Sequence, residues 1–496
     1  MLAAAAVLSI PAPASEPVIG TPTPFRWDAA ELFTLLEANF LQVRSLPLEQ
    51  ARARADSLDL VVSPILDRLD SEEAIGTRAS DAAPVAAPDR SALDRLARIQ
   101  FEYALLGAAH PVLLGRAQDL VRRARVAVMR AAASWPSDRA THEGLYRVVF
   151  GGRIALEEAL VQAGPDALPP LVTFEDVPSR TPFLEVGGVR VHSGDILLSR
   201  GGAPTSALIA RGSDFASTFS HAALAHVDER TGTGTVLESL IERGSVMSSV
   251  DEYLESKKHK ILVLRLSPDH PALRDDPLLP HRAASRMRDL LASRNVPYDF
   301  AMSWSDDAEM FCSEVAYHAF RQEGVELWPI RSAMSTPGLV RWLAAMGVRE
   351  FRTLVPSDLE YDAQLRAVAE WRDMPALMDY RHDNAITDVL LEQADQGRDL
   401  GFAWYALPAA RLVKSWSVVQ AAVGATPTIP SGMSTDAALR VSALVSTVHP
   451  RMKEDLARRE ADFFERNGYR APYWTLVALA RESLAAVGWE MAPALR

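Results

Sequence analysis

The chain has one cysteine, Cys312, in the segment Met310-Phe311-Cys312-Ser313-Glu314-Val315-Ala316-Tyr317. Asp307 to Glu323 reads as a helix that starts near Ser305-Asp306-Asp307 and stops at Gly324, which places Cys312 in its first turns. The partial positive charge of a helix N-terminus favours a thiolate there. A lone cysteine cannot form an intramolecular disulfide or a Cys-rich zinc site. A thiolate nucleophile needs a base. Ser220-His221-Ala222-Ala223-Leu224-Ala225 sets an imidazole at the start of a strand of small apolar residues. Val236-Leu237-Glu238-Ser239-Leu240 sets a carboxylate inside the next apolar strand, and a hairpin of the two brings Glu238 near His221. A carboxylate on one imidazole nitrogen fixes the tautomer and stabilises the imidazolium. A thiolate–imidazolium pair is a competent nucleophile at neutral pH, whereas an isolated thiol is not.

Each residue also has a plain structural reading. Cys312 suits a small buried apolar position, His221 a satisfied strand histidine, and Glu238 the polar face of a half-exposed strand. His226 lies an odd number of residues from His221, so a strand points them to opposite faces and they share no metal. His318 lies about 120° around the helix from Cys312. Ser199, Ser220 and Ser313 lack a Gly-x-Ser-x-Gly elbow. Asp195 reads as a turn cap at a strand start. Lys257-Lys258-His259-Lys260 reads as a solvated strand approach, and the tryptophans of the C-terminal part as helix packing. No metal and no cofactor is expected.

The elements that must position the three residues are legible by texture. Trp27 to Gln162 is helical, broken at Ser80 to Asp89 and closed by Pro165, Pro169 and Pro170. Short apolar runs follow at Asp195–Ser199, His221–Val227, Thr235–Ile241, Ile261–Leu266 and Phe351–Val355, with a helix at Arg282–Arg294. Their short connections argue for antiparallel pairing. Beyond Asp362 the pattern is helical again, with Trp371, Trp404, Trp416 and Trp474 in amphipathic stretches and a Pro/Gly break at Ala425 to Ser434. The reading is α+β: a small, mostly antiparallel core at 181–360, a helical N-terminal extension at 26–180 and a helical C-terminal extension at 361–496. Residues 1–25 read as a possible signal peptide and linker.

A net charge of −12 excludes a general nucleic-acid binder, and no stretch is long and apolar enough to span a membrane. Leu2 to Ile10, followed by Ala12-Pro13-Ala14, has the texture of a secretory signal without its basic leading residues. Export to the periplasm or the exterior is the resulting expectation, with the cytoplasm as the other possibility.

The ordered set Gly194-Asp195-Ile196-Leu197-Leu198, Ser220-His221, Glu238, Pro297-Tyr298-Asp299 and Cys312-Ser313-Glu314 resembles the permuted branch of the NlpC-type papain-like amidases, the YiiX-like group. In that group the histidine strand comes first, the acidic strand second and the cysteine helix last. The resemblance covers roughly 185–360 and implies a permuted papain-like core. It implies Cys312 as nucleophile, His221 as base and acid, Glu238 as its orienter, and the Cys312 N–H in an oxyanion hole. Tyr298 would be a further oxyanion or substrate donor. Substrates in the group span peptide, amide and lipid-acyl bonds. The expected function is therefore a thiol amidase or peptidase-type hydrolase. The alternatives are a lipid acyl hydrolase or acyltransferase of the same fold, and a catalytically silent envelope scaffold. The helical extensions would form a lid or dock an envelope partner.

Overall fold

A computed structural model describes residues 39–76, 87–401, 406–422, 427–430 and 432–489. The leader-like stretch, the linker at 15–25, most of the break at Ser80 to Asp89 and Trp404 lie outside them.

Four helices come first: α1 (Leu48–Gly76), α2 (Arg90–Ala109), α3 (Leu114–Ala131) and α4 (Arg139–Ala163). Asp89 and Asp138 cap two of them by accepting the N–H groups of Ala92 and Thr141. Along α3, Leu114, Ala117, Leu120, Ala124 and Val128 recur at helical spacing and are buried.

The sheet follows, with β1 (Leu171–Thr173), the hairpin β2 (Phe183–Val186) and β3 (Val189–His192), and β4 (Ile196–Gly201). Next come α5 (Pro204–Arg211), β5 (His221–Val227), β6 (Gly234–Leu240), β7 (Gly244–Ser249), α6 (Val250–Glu255) and β8 (Lys258–Leu266). Helices α7 (Pro271–Asp275), α8 (Leu279–Ser293), α9 (Cys312–Arg321) and α10 (Pro337–Met346) precede β9 (Leu365–Arg372). The seven-stranded sheet runs β1-β9-β8-β4-β5-β6-β7, and every pairing is antiparallel. Strand alternation sends Ile196, Leu198, Ala222, Leu224, Leu262 and Leu264 to one face, packed on α8 and α9 through Ala283, Met287, Val315 and Ala319. Leu197, Ala223, Ala225, Ile261 and Val263 face the other way, onto β3 and Tyr253 of α6.

The chain ends in α11 (Leu377–Asp395), α12 (Leu407–Ala422), α13 (Thr435–Ala443), α14 (His449–Asn467) and α15 (Tyr473–Val487). Ile386, Val389, Met452, Leu456 and Leu476 make their shared core with Trp342 of α10.

The α+β architecture with helical regions on both sides is as expected. Several local readings are corrected. Residues 365–372 form a strand inside the sheet, although they lie in the part read as helical. β1 likewise joins the sheet from before residue 181. Phe351–Val355 is no strand; Arg352 makes only an isolated bridge to Ala333. The helix expected from Asp307 starts at Cys312 itself. His259 and Lys260 are not solvated: both are buried in β8.

Candidate active site

His221 is the first residue of β5, and Glu238 lies on β6. The register pairs Leu224 with Leu237, so Glu238 stands across from Ala223, diagonal to His221 and on the same face. The His221 Nε2 to Glu238 Oε2 distance is 2.9 Å. The other carboxylate oxygen accepts the Ser248 hydroxyl of β7 at 2.7 Å. Glu238 is therefore held from two strands. Burial pushes its carboxyl up, and the hydrogen bond and charge of His221, with help from Ser248 and Lys258, bring it below the ordinary range.

Ser239 points the opposite way from Glu238 and donates its hydroxyl to the Met310 carbonyl at 2.5 Å. Adjacent residues of β6 thus hold both halves of the site: one the imidazole, the other the chain entering Cys312. Met310 N–H also donates to the Pro297 carbonyl at 3.0 Å. The Pro297 segment is drawn to the sheet end by a bridge between Val296 and Ser245. Gly244 makes that approach possible, at φ +74 and with room for no Cβ, which would meet Val296 O at 2.5 Å.

Cys312 opens α9. Glu314 turns back to accept the Phe311 N–H at 2.7 Å, which fixes the entry of the chain into the helix. Glu314 N–H closes the turn on the Phe311 carbonyl at 3.1 Å, and a helix start leaves the earlier N–H groups, that of Cys312 included, without an acceptor within the helix. Cys312 is 5% exposed, and its sulfur lies close enough to His221 for the two to shift each other's titration. Burial alone would raise its pKa. The His221 hydrogen bond and charge, the Ala222 N–H and the Ser313 hydroxyl outweigh that and lower it. His221 responds in kind: burial acts to lower it, but Cys312 and Glu238 together raise it to about 9. With Nε2 on Glu238, Nδ1 is the nitrogen left to serve the thiol. Both shifts run in the direction that favours a proton on the imidazole over one on the sulfur.

Tyr298 packs beside this cluster, and burial, followed by the negative charges of Cys312 and Glu314, holds its phenol protonated. The next residue, Asp299, accepts the N–H groups of Ala301 and Ser303 and keeps the loop folded. The residues set aside in the sequence lie elsewhere. His226 stacks on His281 at 5.7 Å, and His318 bonds Glu314 at 3.3 Å. Asp195 accepts the His192 N–H and also holds Arg265 with both oxygens at 2.8 Å.

Three supports escaped the sequence reading: Ser248, Ser239 and the Ala222 N–H. A serine in a strand gives no signal of what it faces. A further cluster, His259, Asp379 and Asp383, brings its ligand-type atoms within 4.8 Å of one another. Its carboxylates already meet Lys257 and Lys453, at 3.0 Å for Asp379 and 2.7 Å for Asp383.

Residues 190–369 match the family model described as permuted papain-like amidase enzyme, YaeF/YiiX, C92 family. The match covers less than half of the chain and spans β4, β5, β6 and α9, so that the permuted order of histidine, acid and cysteine falls inside it. It supports a cysteine peptidase or amidase-like hydrolase. No curated protein and no solved structure matches the chain.

Proposed function

We propose that the chain hydrolyses an amide bond through an acyl-enzyme on Cys312, with His221 as base and acid and Glu238 as its positioning residue. The observation that carries this is His221 held by Glu238 at 2.9 Å beside Cys312, whose charge acts to raise the imidazole. A silent scaffold would need no such contact.

The sulfur attacks the carbonyl carbon, and the carbonyl π electrons move to oxygen, facing the N–H groups at the start of α9. Collapse of that intermediate breaks the C–N bond, and the leaving nitrogen takes the proton from His221. Water then adds to the thioester while His221, now neutral, takes its proton. The second collapse releases the carboxylic acid, and the sulfur leaves as thiolate beside the imidazolium. Tyr298, held protonated, is the side chain available to donate toward the oxyanion.

The test is the rate of alkylation of Cys312 by iodoacetamide across pH, read by intact mass. A paired thiolate reacts fast already near pH ~6, and His221→Ala moves the rise to about 8.5, the value of a free thiol. A wild-type profile that itself rises only near ~8.5 sinks the assignment.

A further inference from the structure

Helix α12 departs from the expectation that the C-terminal tryptophans pack helices. Trp416 is 61% exposed, Leu412 74%, Val419 47% and Val413 37%. At 100° per residue these four fall in an arc of about 120°. Val418, 62% exposed, lies outside that arc, and the packed side is the narrow one between it and Val413. Ala410 and Ser417 are buried there, Ser417 Oγ accepts the Ile429 N–H at 2.9 Å, and Lys414 donates to the Pro430 carbonyl.

The chain around the stripe is poor in acidic residues, with Asp399 and Asp436 bounding it on either side. From Leu400 to Thr435 the sequence has no Asp or Glu, and α12 itself carries Arg411 and Lys414. With 64 acidic residues in 496, a stretch of this length would ordinarily hold about four or five. The rest of this acidic chain would be repelled by an anionic surface, whereas this part is not. No helix among the described residues is long and apolar enough to cross a membrane. An apolar stripe with an aromatic residue and basic flanks is the composition that lies in a bilayer surface rather than through it.

The stripe is coupled to the candidate active site. Ile429 and Met433, just after α12, pack on Phe300 and Ile241. Gly432 leaves room for Phe300 and the Tyr298 carbonyl, which a Cβ there would meet at 2.8 and 3.3 Å. Tyr298 belongs to the packing around Cys312.

We infer that α12 docks the protein on an anionic lipid surface through Leu412, Val413, Trp416 and Val419, with the Tyr298–Phe300 rim of the cleft carried beside it. The inference does not rest on catalysis by Cys312.

The test is flotation of the whole protein with vesicles of phosphatidylcholine alone and of phosphatidylcholine with phosphatidylglycerol. Binding is expected to the anionic vesicles, weakening as salt rises. Leu412→Ser with Trp416→Ser should cut it at least about tenfold without moving the melting midpoint, and Leu60→Ser, an equally exposed apolar site on α1, should leave it unchanged. Should the double variant melt early, Val419→Asp alone replaces it and should also release the protein. Absence of binding to anionic vesicles, or equal binding by the stripe variants, overturns the inference. So does a dimer that the stripe variants abolish when wild-type protein ignores vesicles, because the stripe would then face a second copy.

Discussion

Two clusters of buried charge are built around this sheet, and they use opposite kinds of cation. Around Cys312 the cation is an imidazolium, whose charge exists only while its proton stays put. Around Arg153 the cation is a guanidinium, which keeps its proton at any working pH. Arg153 of α4 pairs with Glu360 and with Glu370 of β9; Arg125 joins at Glu360 and Arg372 at Glu370, at 2.5 and 2.9 Å. Lys260 of β8 pairs with Glu157 of α4, and Tyr380 of α11 bonds the same carboxylate. Burial pushes Glu370 up, but Arg153, Arg372 and Lys260 carry it down to about 2. That cluster ties the N-terminal helices, the sheet and α11 together, and its arginines keep their protons although burial lowers Lys260. The difference teaches how one fold separates two uses of buried charge: guanidinium charges where elements join, an exchangeable proton at the candidate site. It also counts against a swinging lid made of these helices, because swinging would strip buried carboxylates of their partners.

The sharpest way to break this comparison is to remove the exchangeable partner. Cys312→Ala should abolish turnover, by on the order of ten-thousand-fold or more, and leave the unfolding midpoint in urea nearly unchanged. Residual turnover at a comparable rate would move the chemistry elsewhere.

The next effect belongs to the other cluster. Arg153→Ala leaves Glu360 with Arg125 and Glu370 with Arg372, each short of one buried partner, and should cost about 3 kcal/mol in urea unfolding. The alkylation profile of Cys312 should stay as in the wild type at temperatures where the variant is folded. A changed profile with normal stability would mean that the clusters are not separate. Arg153 also lies 4.7 Å over the Phe219 ring, two residues before His221, so the experiment has a real chance to fail.

Glu238→Gln comes third, at about 100-fold in turnover, the order of a general acid–base contribution. It keeps the shape and the Ser248 contact but removes the charge that helps hold His221 at about 9. The upper edge of the alkylation plateau should move to lower pH. A hundred-fold loss with an unmoved edge would point to distorted geometry instead of lost charge.

These differences also explain what the sequence could and could not convey. His221, Glu238 and Cys312 were legible because each sits in a local pattern: a strand start, a strand interior and a helix start. Their supports were not, because Ser239 reaches Met310 across 71 positions and Ser248 faces Glu238 only through the strand register. Leu365–Arg372 contains Ala, Arg and Glu, good helix formers, and pairing with β8 and β1 overrides that preference. The Arg153 pairs span 207 and 217 positions, which no local pattern encodes. At Trp416 the local pattern gave the helix but not which face the rest of the chain would leave uncovered.

The smallest effect sharpens the comparison with a third kind of buried charge, one that has no cation at all. Asp358 accepts the Ser332 N–H and hydroxyl at 2.7 and 2.6 Å. Its nearest titratable neighbour, His142, lies 3.9 Å away and is held neutral because burial lowers it to about 3. Burial therefore wins over the Ser332 bonds and raises Asp358 to about 7 from an ordinary 3.8. Between those two values the folded protein holds a proton that the unfolded chain has lost. Through this one group stability falls as pH rises across the window, by at most about 1.4 kcal/mol per pH unit, while His142, His226, His259 and His449, lowered by burial, act the opposite way up to their ordinary 6.5. Glu314, raised to about 7, and Asp362, raised to about 6, act in the same direction. Glu370, at about 2, contributes no slope there. Asp358→Asn keeps an acceptor for Ser332 and has no proton to lose. In urea titrations from pH ~3.5 to ~8 the variant should be nearly equal to the wild type at the acid end, and its advantage should grow with pH up to about 7. Parallel curves for the two proteins would mean that Asp358 is charged throughout and that its hydroxyl and amide donors replace a cation after all.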